Sequence, residues 1–407
     1  MRLILNVVLT LLLLFNCSSE IDIQTAEMPP PLTDMLTLEL SFGDEETITK
    51  DEFLLAQPRA IVVNSIGDVI IADEGRIKVF DENGKEKQIF GGIGQGPQDF
   101  FTGHAPYMSP TGYLMIVDAY RSEYSQFNNI YRSRSMLSQS YNLFAPDYTF
   151  IEKKRFENSL HAKEYCKSKG YTIYDISKIF AINPTESVYE IAFKKKSAGS
   201  GETNHVEILY ENADNIVPLV HTGLIDDPHT ISTKNPLGEL HWELLPDRRV
   251  VYVDANEDIY NGRTGSLYTI HLIILDGLDE KQITRRFTPV EYPESLFDLE
   301  KYGKLPEEMY KAEQMKVQAY RDKKYYPSIE RMKIDRYYAF MFTYNKNDDS
   351  GILTDVFDLE AGKYITSVYF HFKPAAIING YSITLARNEE GFFVIQKYRI
   401  DPAVYGK

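Results

Sequence analysis

The stretch RIKVFDENGKEKQIFGGIGQGPQDF, residues 76–100, places four glycines within six residues, directly after a segment of alternating apolar and polar residues. Two interpretations compete: a loop that binds a nucleotide phosphate, or a joint between repeated β units. A dinucleotide fingerprint requires a third glycine where Pro97 stands, and a phosphate loop requires a lysine at that same position. No helical pattern follows the glycines. The stretch therefore predicts a joint between β units.

Four short strands surround this stretch. Residues 60–64 and 69–73 are apolar and rich in β-branched residues, residues 76–81 alternate, and residues 85–90 are more polar. Asn83-Gly84 between the last two is the strongest short hairpin signal. Four antiparallel strands in about forty residues predict one blade of a β-propeller. The glycines would let the chain cross to the next blade, with Phe100 or Phe101 packed between the two.

The pattern recurs along the chain. Asp73 ends the second strand, and Asp118 and Asp254 follow later segments of the same kind. We predict that these aspartates bond the backbone amides of turns, with contact to a ligand as the alternative. Further hairpins are predicted in 355–370 and 380–400. The fold predicted is all-β: a six-bladed propeller of four-stranded antiparallel blades over residues 39–407, with a short helical insertion near 305–324.

The N-terminal segment MRLILNVVLTLLLLFNC predicts export. A single charge, Arg2, precedes an apolar run that is short for a membrane span but has the length of a signal peptide, predicted over residues 1–16. Leu14 and Cys17 resemble the lipobox of bacterial lipoproteins, which implies lipidation of Cys17. Ordinary secretion and an uncleaved anchor are the alternatives. Residues 17–38, which contain three consecutive prolines, are predicted to be a lipidated tether.

Residues 70–100 resemble an NHL repeat: an apolar strand that ends in Asp, then RIKVFD, Asn-Gly, and a glycine-rich joint that ends in Phe. Together with the N-terminal signal, the chain resembles the six-bladed β-propeller lipoproteins of Bacteroidetes-type bacteria. That resemblance implies an outer-membrane lipoprotein on the periplasmic or the surface face of the envelope.

The amino-acid composition excludes several classes of partner and ligand. The formal net charge of −15 repels nucleic acid and anionic lipid, so we predict no nucleic-acid partner and membrane contact through the lipid anchor alone. Two cysteines, Cys17 and Cys166, leave no disulfide framework. The eight histidines lack metal-binding spacing. No cofactor is predicted, and a Ca²⁺ site made of Asp, Asn and backbone oxygens is the alternative.

The candidate binding residues follow from blade topology. The connections after the second and the fourth strand of each blade lie on the same face, which would hold Arg76, Gln95, His104, Tyr120 and Arg121. Tyr and Arg often anchor protein partners. We predict non-catalytic binding of a protein, peptide or glycan at the cell envelope. The alternatives are a lactonase-like propeller hydrolase or lyase with an axial metal site, and a structural accessory subunit of an outer-membrane complex.

Overall fold

Six four-stranded antiparallel sheets form the protein, and each sheet is one blade of a six-bladed β-propeller, as the sequence predicts. The structure is a computed structural model that describes residues 30–94, 96–100, 103–120, 137–155, 160–197, 201–223, 240–261, 265–299 and 307–407. Strands are given from the axis outward.

Blades 1 to 3 follow the chain order. Blade 1 consists of Pro58–Val63, Val69–Asp73, Arg76–Phe80 and Glu86–Phe90. Blade 2 consists of Gly103–Met108, Leu114–Tyr120, Leu137–Phe144 and Phe150–Arg155. Blade 3 has longer strands, which are Tyr171–Asn183, Glu186–Ser197, Gly201–Glu211 and Ile216–Gly223.

Blades 4 and 5 are also continuous in sequence, whereas blade 6 is not. Blade 4 consists of Leu240–Leu244, Arg249–Asp254, Ser266–Ile274 and Glu280–Phe287. Blade 5 consists of Arg331–Asp335, Tyr338–Lys346, Ile352–Asp358 and Lys363–Phe370. Blade 6 consists of Ala376–Ile378, Tyr381–Arg387, Phe393–Ile400 and, from the other end of the chain, Leu36–Phe42.

The ring is closed by that N-terminal strand. Leu36–Phe42 pairs antiparallel with Phe393–Ile400, from Leu36 opposite Ile400 to Phe42 opposite Ile395. Residues 36–38 therefore belong to a blade, although the sequence assigns them to the tether of residues 17–38. The hydrogen-bond partners of this strand lie at the far end of the chain, which is why a local pattern does not reveal its place. Cys17 lies outside the described residues.

The packing of the joint after blade 1 explains why glycines occur there. Gly91 has a φ of +73°, and a Cβ there would lie 2.0 Å from the ring of Phe100. Phe100 is fully buried in the cluster between blades 1 and 2, as predicted for a residue at this joint. Asp99 accepts from the backbone N–H of Gly96 at 2.7 Å, and a Cβ at Gly94 would meet the same carboxylate at 2.3 Å. The glycines allow close packing around Asp99 and Phe100, as expected of a joint.

In the part of the chain that the structure describes, two α-helices lie between blades. The helix Leu160–Lys169, named α1, lies between blades 2 and 3 and is not predicted from the sequence. The helix Glu307–Lys323, named α2, lies between blades 4 and 5, in the region predicted to be helical. Short 3₁₀ turns occur at Asp51–Phe53, Ala255–Glu257, Glu294–Leu296 and Pro402–Tyr405. Within the described ranges, neither helix is long and apolar enough to cross a membrane.

The two faces of the propeller differ in their connections. On the face that we name the turn face, the connections after first and third strands are two to five residues long, such as 64–68, 184–185 and 336–337. On the opposite face, named the loop face, several connections are much longer, and the largest covers residues 288–330 and contains α2. The turn face is therefore compact, and the long connections of the chain are concentrated on the loop face.

On the turn face, a hydrogen bond crosses each of the six boundaries between neighbouring blades. In order round the ring, the bonded pairs are Tyr148 with Asp68, Thr111 with the carbonyl of Ala181, Arg248 with Glu186, Arg249 with the carbonyl of Leu359, Asp335 with the amide of Gly380, and Asn379 with the carbonyl of Ser65. Apolar clusters fill the spaces between the sheets above these bonds. The bonds fix the angular position of each blade relative to the next.

Asp335→Ala should destabilise the ring strongly. The carboxylate is 3% exposed and accepts from the amides of Asn379 and Gly380 at 2.7 and 2.8 Å and from the hydroxyl of Tyr405 at 2.8 Å. Losing it leaves three donors without their partner, which should cost about 3 kcal/mol of unfolding free energy, measured by urea denaturation. The matched control is Asp348→Ala, an exposed position in the same blade. Equal stability of the two variants would contradict the structural role of the interblade bonds.

Candidate functional site

The structure places one predicted binding residue, Arg76, in a described surface patch. Arg76 begins the third strand of blade 1 and is exposed, as is Arg59 on the inner strand of the same blade. Gly75 lies against the joint, because a Cβ there would meet Ile93 at 2.6 Å. A shallow cavity of about 250 Å³ lies here, lined by Arg59, Glu74, Gly75 and Ile93 among others. We name this group, with Arg76, the blade 1 patch.

The other predicted residues are only partly located. His104 and Tyr120 lie on neighbouring strands of blade 2, where the backbone of His104 pairs with Asp118 and that of Tyr120 pairs with Leu137. The placement of their side chains is outside what the structure describes, and so is that of Asp118. Gln95 and Arg121 lie outside the described residues altogether. The structure thus brings together Arg76 and the joint, and leaves the remaining four as predictions.

The recurrent aspartates have structural partners. Asp73 accepts from the amides of Ala56 and Gln57 and from the ammonium of Lys78 at 2.7 Å. Both members of this ion pair are almost fully buried. Asp254 accepts from the amide of Asn256 at 2.9 Å. These two aspartates bond backbone amides, as predicted, although Asp73 serves the segment that enters blade 1 rather than its own turn.

A second site, absent from the sequence predictions, lies on the axis of the propeller. A cavity of about 270 Å³ is lined by residues of the inner strands of blades 2, 3, 4 and 5 and by Glu190 of the second strand of blade 3. Because the inner strands surround the axis, this shared origin places the cavity at the centre of the ring. We name it the axial cavity. Its ionisable residues, the tyrosine aside, are Lys178, Glu190, His241, Glu243, Arg331 and Lys333.

Two of the cavity's charged groups are engaged with its wall. The ammonium of Lys178 forms an ion pair with Glu243 at 2.8 Å, donates to the carbonyl of Trp242, and lies 5.0 Å from the centroid of that indole ring. The indole N–H of Trp242 donates to Glu190 at 2.8 Å. Lys178, Glu190 and Glu243 therefore form part of a bonded wall between blades 3 and 4.

Arg331 and Lys333 are placed differently. They stand two residues apart on the inner strand of blade 5, so both lie on one side of that strand. Met332 points to the other side and is buried in the cluster between blades 4 and 5. The guanidinium of Arg331 donates to the carbonyl of Pro374 at 3.4 Å. Within the described ranges, neither cation forms a salt bridge.

The electrostatics of the cavity follow from this arrangement. The pKa of Lys333 is lowered to about 8, mainly by burial; the charge of Glu243 opposes this shift, and the charges of Arg331 and Lys178 contribute to it. Burial likewise lowers the pKa of His241 to about 4, with Lys178 and Arg331 acting in the same direction. At neutral pH the imidazole is uncharged and Lys333 is mainly protonated. The cavity thus carries three cations beside two carboxylates in a chain whose net charge is −15.

This charge distribution disfavours the axial metal that the hydrolase alternative requires. A hard cation such as Ca²⁺ is bound by several oxygen ligands, chiefly carboxylates and carbonyls. The axial cavity instead presents ammonium and guanidinium groups, and both of its carboxylates are already bonded to the wall. Across the part of the chain that the structure describes, no group of three or more His, Cys, Asp or Glu side chains is arranged to hold a metal ion.

A second buried cluster lies beneath α1 in blade 3. Glu207 is 3% exposed and accepts from the hydroxyl of Tyr165 at 2.6 Å and from that of Tyr171 at 3.1 Å, while His221 contacts it at 2.7 Å. Burial raises the pKa of nearby Cys166 to about 11, with the charge of Glu207 acting in the same direction. A thiol held neutral is a poor nucleophile. The hydrogen bond from Tyr165 to Glu207 attaches α1 to the sheet.

Comparison with known proteins gives only distant likenesses. No protein-family model matches the chain, and no curated protein matches it. Among solved structures, a proposed exported protein from Bacteroides fragilis shares 12% identity over 92% of this chain and 98% of its own, with a TM-score of 0.31. The Pan2 WD40 domain of Neurospora crassa shares 8% sequence identity with this chain, over 91% of this chain and 98% of its own, with a TM-score of 0.35. A proposed TolB from Agrobacterium tumefaciens shares 10% sequence identity with this chain, over 85% of this chain and 90% of its own, with a TM-score of 0.33.

Lys333→Met should stabilise the protein near neutral pH. The lowered pKa means that the folded state disfavours the ammonium, a penalty present in full below pH 8 that disappears as pH rises toward the unfolded-state pKa of 10.5. Removing the charge should add about 1 kcal/mol or more at pH 7, seen as a higher Tm. The gain should shrink between pH 7 and pH 9.5.

The matched control is Lys363→Met, an exposed lysine on the outer strand of the same blade. Its Tm should stay close to that of the wild type across this pH range. A lower Tm for Lys333→Met than for the control at pH 7 would contradict the electrostatic description of the axial cavity.

Proposed function

We propose that the protein is an exported, non-catalytic binding protein of the cell envelope. In this proposal the loop face holds a protein, peptide or glycan partner, and Cys17 anchors the chain to the outer membrane through lipid. The observation that carries the proposal is the difference between the two faces. The turn face is composed of connections of two to five residues bonded to one another, whereas the loop face has long connections free to contact a partner.

The blade 1 patch is the best-described part of this surface. It combines the exposed guanidinium groups of Arg59 and Arg76 with Ile93, whose side chain is 68% exposed. An exposed apolar side chain between arginines suits a partner that offers both apolar surface and negative charge. Elsewhere on the loop face, Met315 of α2 is 51% exposed and Phe392 is 43% exposed. These two side chains are further apolar contact points on the same face.

The partner surface can be tested with a matched pair of double variants in blade 1. Arg76→Glu/Ile93→Asp alters the loop face, and Lys85→Glu/Ile66→Asp makes the same type of change on the turn face, where Ile66 is 66% exposed. Tagged proteins of equal Tm are cross-linked to envelope extracts and recovered. We expect a partner that wild type and the turn-face variant recover equally, with at least about tenfold less on the loop-face variant.

Equal recovery by all three proteins, loss on the turn-face variant alone, or no specific partner would each contradict the proposal.

Detergent extraction of the same envelopes distinguishes a binding protein from an accessory subunit. A subunit of an outer-membrane complex would migrate with that complex after detergent extraction, whereas the proposed binding protein would migrate separately and gain its partner only on mixing.

If the chain is anchored through lipid, replacing Cys17 alone should release it from the membrane. Cys17→Ser should abolish incorporation of labelled palmitate and move the protein from the membrane fraction to the soluble fraction, because the thiol that would carry the lipid is gone. Cys166→Ser is the matched control: Cys166 is buried in α1 and cannot carry a lipid. Membrane retention of Cys17→Ser, or equal release of both variants, would contradict the anchor.

A further inference from the structure

Arg331 and Lys333 are two neighbouring cations that form no salt bridge with any residue that the structure describes. Successive same-side residues on a strand stand about 6.6 Å apart along the chain, which lets two side chains approach one group between them. On that side of the strand, the next inner strand of the ring is Ala376–Ile378, which is apolar. Glu243, whose negative charge acts on Lys333, forms its salt bridge with Lys178. The two cations are thus held close together beside an apolar neighbour.

The cavity around them has the size and chemistry of a ligand site. Its volume of about 270 Å³ corresponds to roughly nine water molecules. Leu240 supplies apolar wall, and His241 lines the cavity as a neutral imidazole that can donate or accept a hydrogen bond. Cations with few carboxylate partners, an apolar wall and one neutral hydrogen-bonding ring are what a small organic anion requires.

We propose that the axial cavity binds a small organic anion through a carboxylate or phosphate group placed between the guanidinium of Arg331 and the ammonium of Lys333. Arginine can hold two oxygens of such a group in a bidentate contact, and lysine adds a point charge. The bound anion neutralises two like charges that otherwise repel one another. This site is separate from the partner surface of the loop face and does not depend on it.

The test uses the purified full-length protein and two probes, citrate and inorganic phosphate. Calorimetry at pH 7 measures their binding at constant ionic strength, with NaCl replacing the probe in the blank so that general screening cancels. We expect saturable binding of at least one probe and a Tm that rises with its concentration. Stronger binding of citrate would indicate a carboxylate ligand, and stronger binding of phosphate would indicate a phosphorylated one.

Variants assign the binding to the axial cavity. Arg331→Gln and Lys333→Met should each weaken binding about tenfold, because each removes one of the two charges that contact the anion. Glu243→Gln should strengthen binding several-fold, because it removes a negative charge that acts on Lys333 and leaves Lys178 without its ion-pair partner. Lys363→Met, with the same loss of charge at an exposed site, should leave binding unchanged.

Two outcomes would overturn the proposal. The first is that neither probe binds beyond the NaCl blank. The second is that Lys363→Met weakens binding as much as Lys333→Met does, which would indicate adventitious binding by overall charge. Misfolding is not a competing explanation for weaker binding by Lys333→Met, because that variant is expected to melt at a higher temperature than wild type.

Discussion

Closure of the ring is the constraint on which the rest of this structure depends. Six twisted sheets can exclude water from their faces only if the last one packs against the first, and here both ends of the chain supply strands to that last sheet. The interblade hydrogen bonds of the turn face then fix each blade against its neighbour. The turn face carries these interblade bonds, and the long connections lie on the loop face. There they can contact a partner without disturbing the core.

The axial cavity is a consequence of the same closure. Inner strands are held at fixed distances from the axis, so side chains from several blades share a small volume whatever their charge. Three cations in that volume are costly, since burial and mutual repulsion both disfavour them, and the lowered pKa of Lys333 reflects this cost. A ring fixed at every boundary can hold such groups in place, and an incoming anion relieves the repulsion. The stored repulsion of the cavity favours anion binding.

Much of the fold could be predicted from the sequence because its turns carry local signals. Blade 1 follows from Asn83-Gly84 and from the joint beside Phe100, since glycine and asparagine specify backbone conformations within a few residues. Blade 3 cannot be delimited from the sequence: its first hairpin turns at Pro184-Thr185 without a glycine, and its first three strands, of 13, 12 and 11 residues, are longer than those of the other blades. The closing strand Leu36–Phe42 was missed because its partner is at the opposite end of the chain.

One of the two candidate sites could be predicted from the sequence, and the other could not. The blade 1 patch was accessible to sequence reasoning, because Arg76 and the joint belong to one blade and strand alternation places them on one face. The axial cavity was not, because Lys178, His241 and Arg331 come from three blades and each looks like an ordinary polar residue on its own strand. The sequence signal that could have helped is a pair of cations, Arg331 and Lys333, at alternate positions of an inner strand, where a propeller normally buries apolar residues.

The most direct measurement of the account is hydrogen–deuterium exchange of the full-length protein along a urea series, followed in peptides that cover Leu36–Phe42 and Phe393–Ile400. If the N-terminal strand closes the ring, the amides of both segments will be equally protected in the absence of urea and will lose protection together with the inner strands in one cooperative step. Fast exchange of Leu36–Phe42 while Phe393–Ile400 and the inner strands remain protected would contradict ring closure, and with it the rigid axis and the division of roles between the two faces.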